Sequence, residues 1–498
     1  MDISSVTPLL AVLVPVLGAA GTVALRDHPP ARELCGVVAG LVQLGIIATM
    51  VPTVLDGGTI SFRISAFLPE VEIGLRVDAL GVVLAGTSSA LWILTTIYSM
   101  GYLGTGPDRA LARFHVYFGL TIAATMGVAF SVNLLTLYIF YEALTIITYP
   151  LVTHAGTPEA SRGGKRYLGY QLGTGVAFLL PAIVLTYTQS GTFDFVPGGV
   201  FGDDAGGPLL VLIFVLFLAG IAKAALLPVH AWLPAAMVAP VPVSALLHAV
   251  AVVNVGVFTV FRVVLDVFGT DLAAALHLGA ITLAVTSVTI LMSSLYALRL
   301  DNLKAILAYS TIGQLSYMIL GVTLLSDAGR TGGVLHLVGH AFAKITLFFA
   351  VGSVYLASHR TAASELRGIG RQMPWTMGAF AVGALSIVGL PPTVGFIAKY
   401  FLFLGAVDAR QWLVLAVLAV STVLSAGYYL RVIRVALFEA PAPPLTGGDD
   451  PGPLRERRIT ESPALVVWPL VVTAAVTLLL GVAPGPLLEL VRVAARVP

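Results

Sequence analysis

Only five lysines occur in this 498-residue chain, and three of them, Lys223, Lys344 and Lys399, fall inside runs apolar enough to cross a bilayer. Glu142, in "LYIFYEALTIITYP", is the one carboxylate near the middle of such a run. An ionisable group at the centre of a membrane helix costs about 2.5–3.5 kcal/mol even on insertion scales. Lysine, unlike arginine, changes protonation when it is desolvated or when a neighbouring charge moves. Lysines kept for the interior while arginine serves the loops therefore have the makings of a proton carrier. Glu142 and Lys223 would attract by roughly 4 kcal/mol at 4 Å with an effective dielectric near 20. The alternative reading is an ion pair that only holds the bundle together.

Histidines extend the set. His336, His340 and Lys344 follow one another at i, i+4 and i+8 and so share one helical face, a spacing suited to a proton path. His230 and His248 both follow the break after Lys223, on the C-terminal side of its proline. His277 has no charged partner in its segment, and the expectation there is a helix-interior histidine with a packing role. Haem ligation needs histidines on facing helices at matched depth, which a ladder on one helix does not supply. Cys35 is the single cysteine, so neither an internal disulfide nor a cysteine-ligated cluster can form. No cofactor and no metal site is expected, and any redox chemistry belongs to another chain. No run of Lys and Arg tracks a phosphate backbone, which argues against nucleic acid. The one basic cluster, "RERR" at 455–458, reads as a loop that helps set membrane orientation.

The elements that must position these groups are helices in a bilayer. With 58% hydrophobic and 10% charged residues, the chain cannot cover soluble domains with polar surface. Fourteen apolar runs are long enough to span: 7–25, 34–55, 78–102, 113–131, 132–153, 166–189, 208–232, 241–267, 272–297, 303–325, 332–357, 375–404, 411–437 and 463–490. Only "SVN" at 131–133 divides the fourth from the fifth. The first run reads as a retained helix, with no basic residue ahead of it. Segment 56–77 alternates apolar and polar residues and predicts a hairpin; 190–207 and 440–462 read as polar connectors. Loops after odd-numbered spans hold most of the Lys and Arg, which puts both termini outside the cytoplasm.

Two spans are broken. "LAGIAKAALLPVH" (218–230) interrupts the seventh at Pro228, and "LSIVGLPPTVGFIAKYF" (385–401) interrupts the twelfth at Pro391 and Pro392, each beside a lysine. Proline removes a backbone donor and frees carbonyls for side chains or water. If spans 4–8 (113–267) and 9–13 (268–438) are two units, both breaks fall on the fourth helix of their unit. Residues 1–112 would then precede the units and 439–498 follow them. The expectation is an all-α polytopic membrane protein with about fourteen transmembrane helices and two inverted five-helix repeats, each with a broken helix.

These residues resemble the antiporter-like membrane subunits shared by Mrp-type cation/proton antiporters, respiratory complex I and membrane-bound hydrogenases. The likeness rests on "KAALLPVHAWLPAAMVAPVPVSALLHAVAVVNVGVF" (223–258), Glu142 in its helix, "DNLKAILAYSTIGQLSYM" (301–318), "HLVGHAFAKITLFFAVGSVY" (336–355) and the Lys399 segment. It implies that Glu142 pairs with Lys223 and that protons pass along a polar axis at mid-membrane to Lys399. Asn254 stands where many relatives carry Lys, so His248 or ordered water is expected to take the central step. The compact C-terminal end resembles the D-type members of the Mrp antiporters. A pumping subunit of a quinone reductase or hydrogenase and a non-transporting scaffold are the alternatives. The resemblance also implies partner membrane subunits, protons with Na+ or K+ as the transported ions, and a bacterial or archaeal cytoplasmic membrane.

Overall fold

The computed structural model describes residues 2–68, 71–104, 108–202, 207–440 and 459–496. The basic cluster at 455–458 lies outside them. Helices long and apolar enough to cross a membrane number twelve among the described residues, and two further crossings are built from shorter halves. In chain order these are α1 (Thr7–Ala24), α2 (Pro29–Leu55), α3 (Ala79–Leu103), α4 (Asp108–Ala129), α5 (Leu134–Val152) and α6 (Pro158–Ser190). The seventh crossing is divided into α7 (Gly207–Gly220) and α8 (Val229–Val238). Then come α9 (Val241–Phe268), α10 (Leu278–Arg299), α11 (Leu303–Thr323) and α12 (Asp327–Ser358). The twelfth crossing is divided into α13 (Pro374–Val388) and α14 (Val394–Asp408), and α15 (Trp412–Leu437) and α16 (Ala464–Val482) follow. The all-α polytopic fold expected from the apolar runs is the fold observed, and its seventh and twelfth crossings are the interrupted ones.

Local chemistry explains where the helices start. Asp78, Asn133, Thr157, Asn302 and Ser326 each cap a helix by accepting from a backbone N–H three residues on, satisfying a donor the first turn leaves open. The cap at Asn133 is what makes "SVN" a boundary between α4 and α5. Both breaks carry a cis X-Pro bond, Leu227–Pro228 and Pro391–Pro392.

Two features of the sequence reading need correction. The last crossing ends at Val482, not near 490; Pro484 then starts a separate short helix, α17 (Gly485–Ala494), with Val491 and Ala494 buried. His277 is not inside a helix. It sits in the left-handed region (φ 52°) immediately before α10, because the ninth crossing begins at Leu278 rather than at 272. The expected hairpin is present as β2 (Thr59–Leu68) and β3 (Val71–Val77), joined by a parallel strand β1 (Asp2–Ser4) that alternation over three residues could not announce.

Burial is uneven around the bundle. α9 and α12 are enclosed on every side, whereas α1, α2, α6 and α16 turn much of their surface outward. Near the hairpin a second set of charges locks distant elements together. Arg262 of α9 donates to both oxygens of Asp78 at 2.5 and 2.7 Å and to Asp266 at 2.9 Å. Arg496, just beyond α17, pairs with the other oxygen of Asp266. Burial pushes the Asp78 carboxyl up, but the Arg262 guanidinium and the Gly81 N–H outweigh it and hold Asp78 below the usual carboxylate range.

Candidate proton relay across the bundle

α5 presents Tyr141, Glu142, Thr145 and Thr148 toward the break of the seventh crossing. Lys223 lies in a single 3-10 turn, Ala222–Ala224, and is fully buried. The turn is fixed by its surroundings: Trp232 of α8 donates its indole N–H to the Ala222 carbonyl at 2.8 Å. A side chain at Gly256 would run into the Lys223 backbone, so that glycine lets α9 approach the break.

The Lys223 ammonium donates to Thr145 Oγ1 at 2.6 Å and lies 3.4 Å from the centre of the Tyr141 ring. Among the described residues no ion pair within 4.0 Å joins it to Glu142, whose two carboxylate oxygens are buried without a hydrogen-bond partner. The contact implied by the resemblance is thus an open pair here. The reason is that a hydroxyl and an aromatic face, both better placed, take up the ammonium. Glu142 is instead pressed against α6 where that helix loosens into a π turn, Gly175–Leu179. An added Cβ at Gly175 would collide with Glu142 Oε1. Since the obstructed atom is the tip of a flexible side chain, Gly175→Ala should leave folding intact and displace the carboxylate. The expected result is a several-fold fall in proton transport at unchanged thermal stability, read from vesicle acidification and a melting curve.

His248 belongs to a second π turn, Leu246–Val250, and its ring lies 4.9 Å from that of Phe348 on α12. Neither of its nitrogens has a protein partner. Asn254 gives its N–H to the Ala249 carbonyl at 2.8 Å and leaves Oδ1 unpaired. On α12 the ladder is formed as expected: His336 and His340 are 6.3 Å apart between ring centres. His336 Nε2 bonds Gln314 Oε1 at 2.9 Å, and both nitrogens of His340 are unpaired. Lys344 donates to the Leu307 carbonyl and to the Tyr429 hydroxyl, each at 3.1 Å.

Lys399 of α14 closes the row. Its ammonium donates to the Val388 carbonyl at 3.1 Å, one of those freed by the break, and to Thr422 at 3.4 Å. It lies 4.8 Å from the Tyr317 ring, which is 5.9 Å from the ring of His336. Gly389 ends α13 at φ 89°, and a Cβ there would press on the Lys399 stem at 2.6 Å; only glycine satisfies both constraints.

The structure therefore gathers the sequence-predicted residues into three groups: Glu142 with Lys223, His248 with the His340–Lys344 face, and His336 with Lys399. Unpaired buried nitrogens and oxygens lie in all three, and such groups are satisfied by water when protein offers nothing. Pro228, Pro391 and Pro392 shape the breaks. His230 stands in the turn Val229–Ala231, half-buried and outside the three groups. His277 is remote from all of them in sequence and element, so His277→Ala should change transport less than twofold in the same acidification assay.

Sequence reasoning missed the neutral members, Tyr141, Thr145, Gln314, Tyr317 and Tyr429, because a Thr or Tyr in an apolar run carries no signal of its own. It also passed over Lys304, at a helix end. Lys304 donates to the Met237 and Ala239 carbonyls at 2.5 Å each, tying α11 to the end of α8. Among the described residues no group of His, Cys, Asp and Glu is arranged to hold a metal ion.

Comparison with known proteins gives a consistent set of likenesses. A family described as "NADH:quinone oxidoreductase/Mrp antiporter, TM" matches residues 131–425. NADH-quinone oxidoreductase subunit N of Desulforudis audaxviator is 31% identical over 483 residues, covering 95% of both chains. Two solved structures share the fold at TM-score 0.85. A chain of the Mrp complex from Dietzia sp. is 24% identical, over 99% of this chain and 97% of that one. A chain of the membrane-bound sulfane sulfur reductase, an archaeal respiratory membrane complex, is 23% identical over the same shares.

Proposed function

The chain belongs to the NADH:quinone oxidoreductase/Mrp antiporter transmembrane family, and from that premise we propose that it is a proton-translocating subunit of a multi-subunit membrane complex. One observation carries the reading. The two crossings enclosed on every side, α9 and α12, are the ones that bear His248, His336, His340 and Lys344. Burying ionisable groups where leucine would serve is costly unless they are used.

Protons move along the row Glu142, Lys223, His248, His340, His336 and Lys399, with Lys344 setting the charge of the central group. In the open pair, Lys223 lacks a carboxylate partner and rests on a hydroxyl, a state from which its proton leaves more readily than from a closed ion pair. Closure of the pair would retain the proton and opening would pass it on. The breaks at Pro228 and Pro391–Pro392 bring carbonyls and water to the two ends. Units 113–267 and 268–438 supply one half of the row each. The chain sits in a bacterial or archaeal cytoplasmic membrane with both termini outside the cytoplasm, beside other membrane subunits of its complex.

Two kinds of complex fit. The resemblance of the 223–258 stretch to D-type members fits a cation/proton antiporter, exchanging Na+ or K+, and the fold shared with a chain of an Mrp complex is compatible with it. The 31% identity over 95% of a quinone oxidoreductase subunit N supports a redox-driven pump. Vesicles containing the purified complex separate them. Acidification driven by a Na+ or K+ gradient alone supports the antiporter; acidification that requires an electron donor and a quinone supports the pump. Normal transport by a complex carrying Lys223→Ala and Lys399→Ala together would make the chain a scaffold.

A further inference from the structure

Lys223 must exchange protons with one aqueous side, and the row itself gives it no outlet. The outlet is visible between α5 and α6. The acceptor of the Lys223 ammonium, Thr145, lies seven residues from the end of α5 at Val152, about 10 Å at 1.5 Å per residue. One turn nearer that end, Thr148 Oγ1 and the Tyr167 hydroxyl of α6 are 2.6 Å apart. Both groups are fully buried, and each hydroxyl can donate and accept in turn.

Gln171 is one turn further along the same face of α6, with Gly175 and the Glu142 carboxylate one turn beyond it. Its side chain is 0% exposed, and both its amide oxygen and its amide nitrogen lack a partner. A glutamine that could make four hydrogen bonds and makes none with protein is costly in a dry helix interface. Leucine would pack there at no such cost. Gln171 thus lies one helical turn from the glycine against which the two unpaired oxygens of Glu142 are pressed, on α6 and away from the row through α9 and α12.

We infer that Thr148, Tyr167 and Gln171 form the proton-access channel that joins the Glu142–Lys223 pair to the solvent beside the 153–157 connection. This rests on the relay reading above and assigns it an uptake site. Gln171 holds water against the Glu142 carboxylate, and the Tyr167–Thr148 hydroxyl pair carries the proton past the last turn of α5. The Tyr167 ring packs edge-on to Trp232 at 5.5 Å, which fixes its hydroxyl relative to the break. The asymmetry of the basic residues puts the 153–157 connection on the cytoplasmic side.

The test uses the whole complex in vesicles. Tyr167→Phe keeps the ring and its packing on Trp232, and Gln171→Leu keeps the volume, so the double variant retains its fold. Proton transport in it is expected to fall several-fold, and Gln171→Glu, which preserves polarity, to recover most of the rate. In a Cys35→Ser background, Thr148→Cys should react with a small charged thiol reagent added on the loop side. Wild-type transport in the double variant overturns the channel while leaving the relay standing, provided Lys223→Ala remains inactive. An unreactive Thr148→Cys also overturns it, because a slow double variant would then reflect packing alone.

Discussion

Lys223→Ala is expected to abolish proton transport while the complex still assembles. The ammonium supplies the charge at the break of the seventh crossing, and its contacts, Thr145 Oγ1 and the Tyr141 ring, are neutral groups that tolerate its removal. The turn that carries it is held by the backbone and by Trp232, not by the lysine side chain. Removing a buried charge also removes a desolvation cost, so the variant should melt at or above the wild-type temperature. Glu142 would be left unmoved against Gly175, with no proton to hand on. Native gels for assembly and a pH-sensitive dye in vesicles separate the two effects. Assembly with no acidification is the expected outcome; wild-type acidification would remove Lys223 from the route.

The largest stability effect is expected at Arg262, which no transport step uses. Arg262→Leu strands the Asp78 carboxylate and takes one of two partners from Asp266, which keeps Arg496. Breaking a buried pair on one side costs about 3–5 kcal/mol. Thermal unfolding should show a large downward shift at neutral pH. Asp78 is held below its ordinary value near 3.9, so its part of the stability is complete above that value and is lost as the pH falls through the lower folded one. Acidification should therefore narrow the gap between variant and wild type. A gap that widens in acid, or a variant as stable as wild type, would refute the assignment of the cluster as a lock between α3, α9 and α17.

The fourteen crossings, the two breaks and the buried ionisable side chains were legible because each leaves a mark in one dimension. An apolar run, a proline inside it and a charge inside it can all be counted without knowing what lies alongside. Partners leave no such mark. Arg262 and Asp78 are 184 positions apart, and each looks like a charge at a helix end until α9 is laid against α3. That Lys223 rests on Thr145 rather than on Glu142 is decided by angstroms within a shared space, which residue types cannot express. The π turns at Gly175–Leu179 and Leu246–Val250 are shifts of backbone hydrogen bonding by one residue, invisible to apolar periodicity, yet one faces Glu142 and the other carries His248. The overlong final span had the opposite cause. Apolar residues continue past Val482, and only Pro484 marks where the crossing stops and a short surface helix begins.

The most direct test of a continuous relay is acidification by vesicles whose complex carries Lys223→Ala and Lys399→Ala together, with assembly verified, under whichever gradient or electron donor drives the wild type. Lys223 stands next to Glu142 at one end of the row and Lys399 at the other, and their contacts have no residue in common. The relay predicts no pH gradient from the double variant and none from either single one. A pH gradient of wild-type size from the double variant would contradict it.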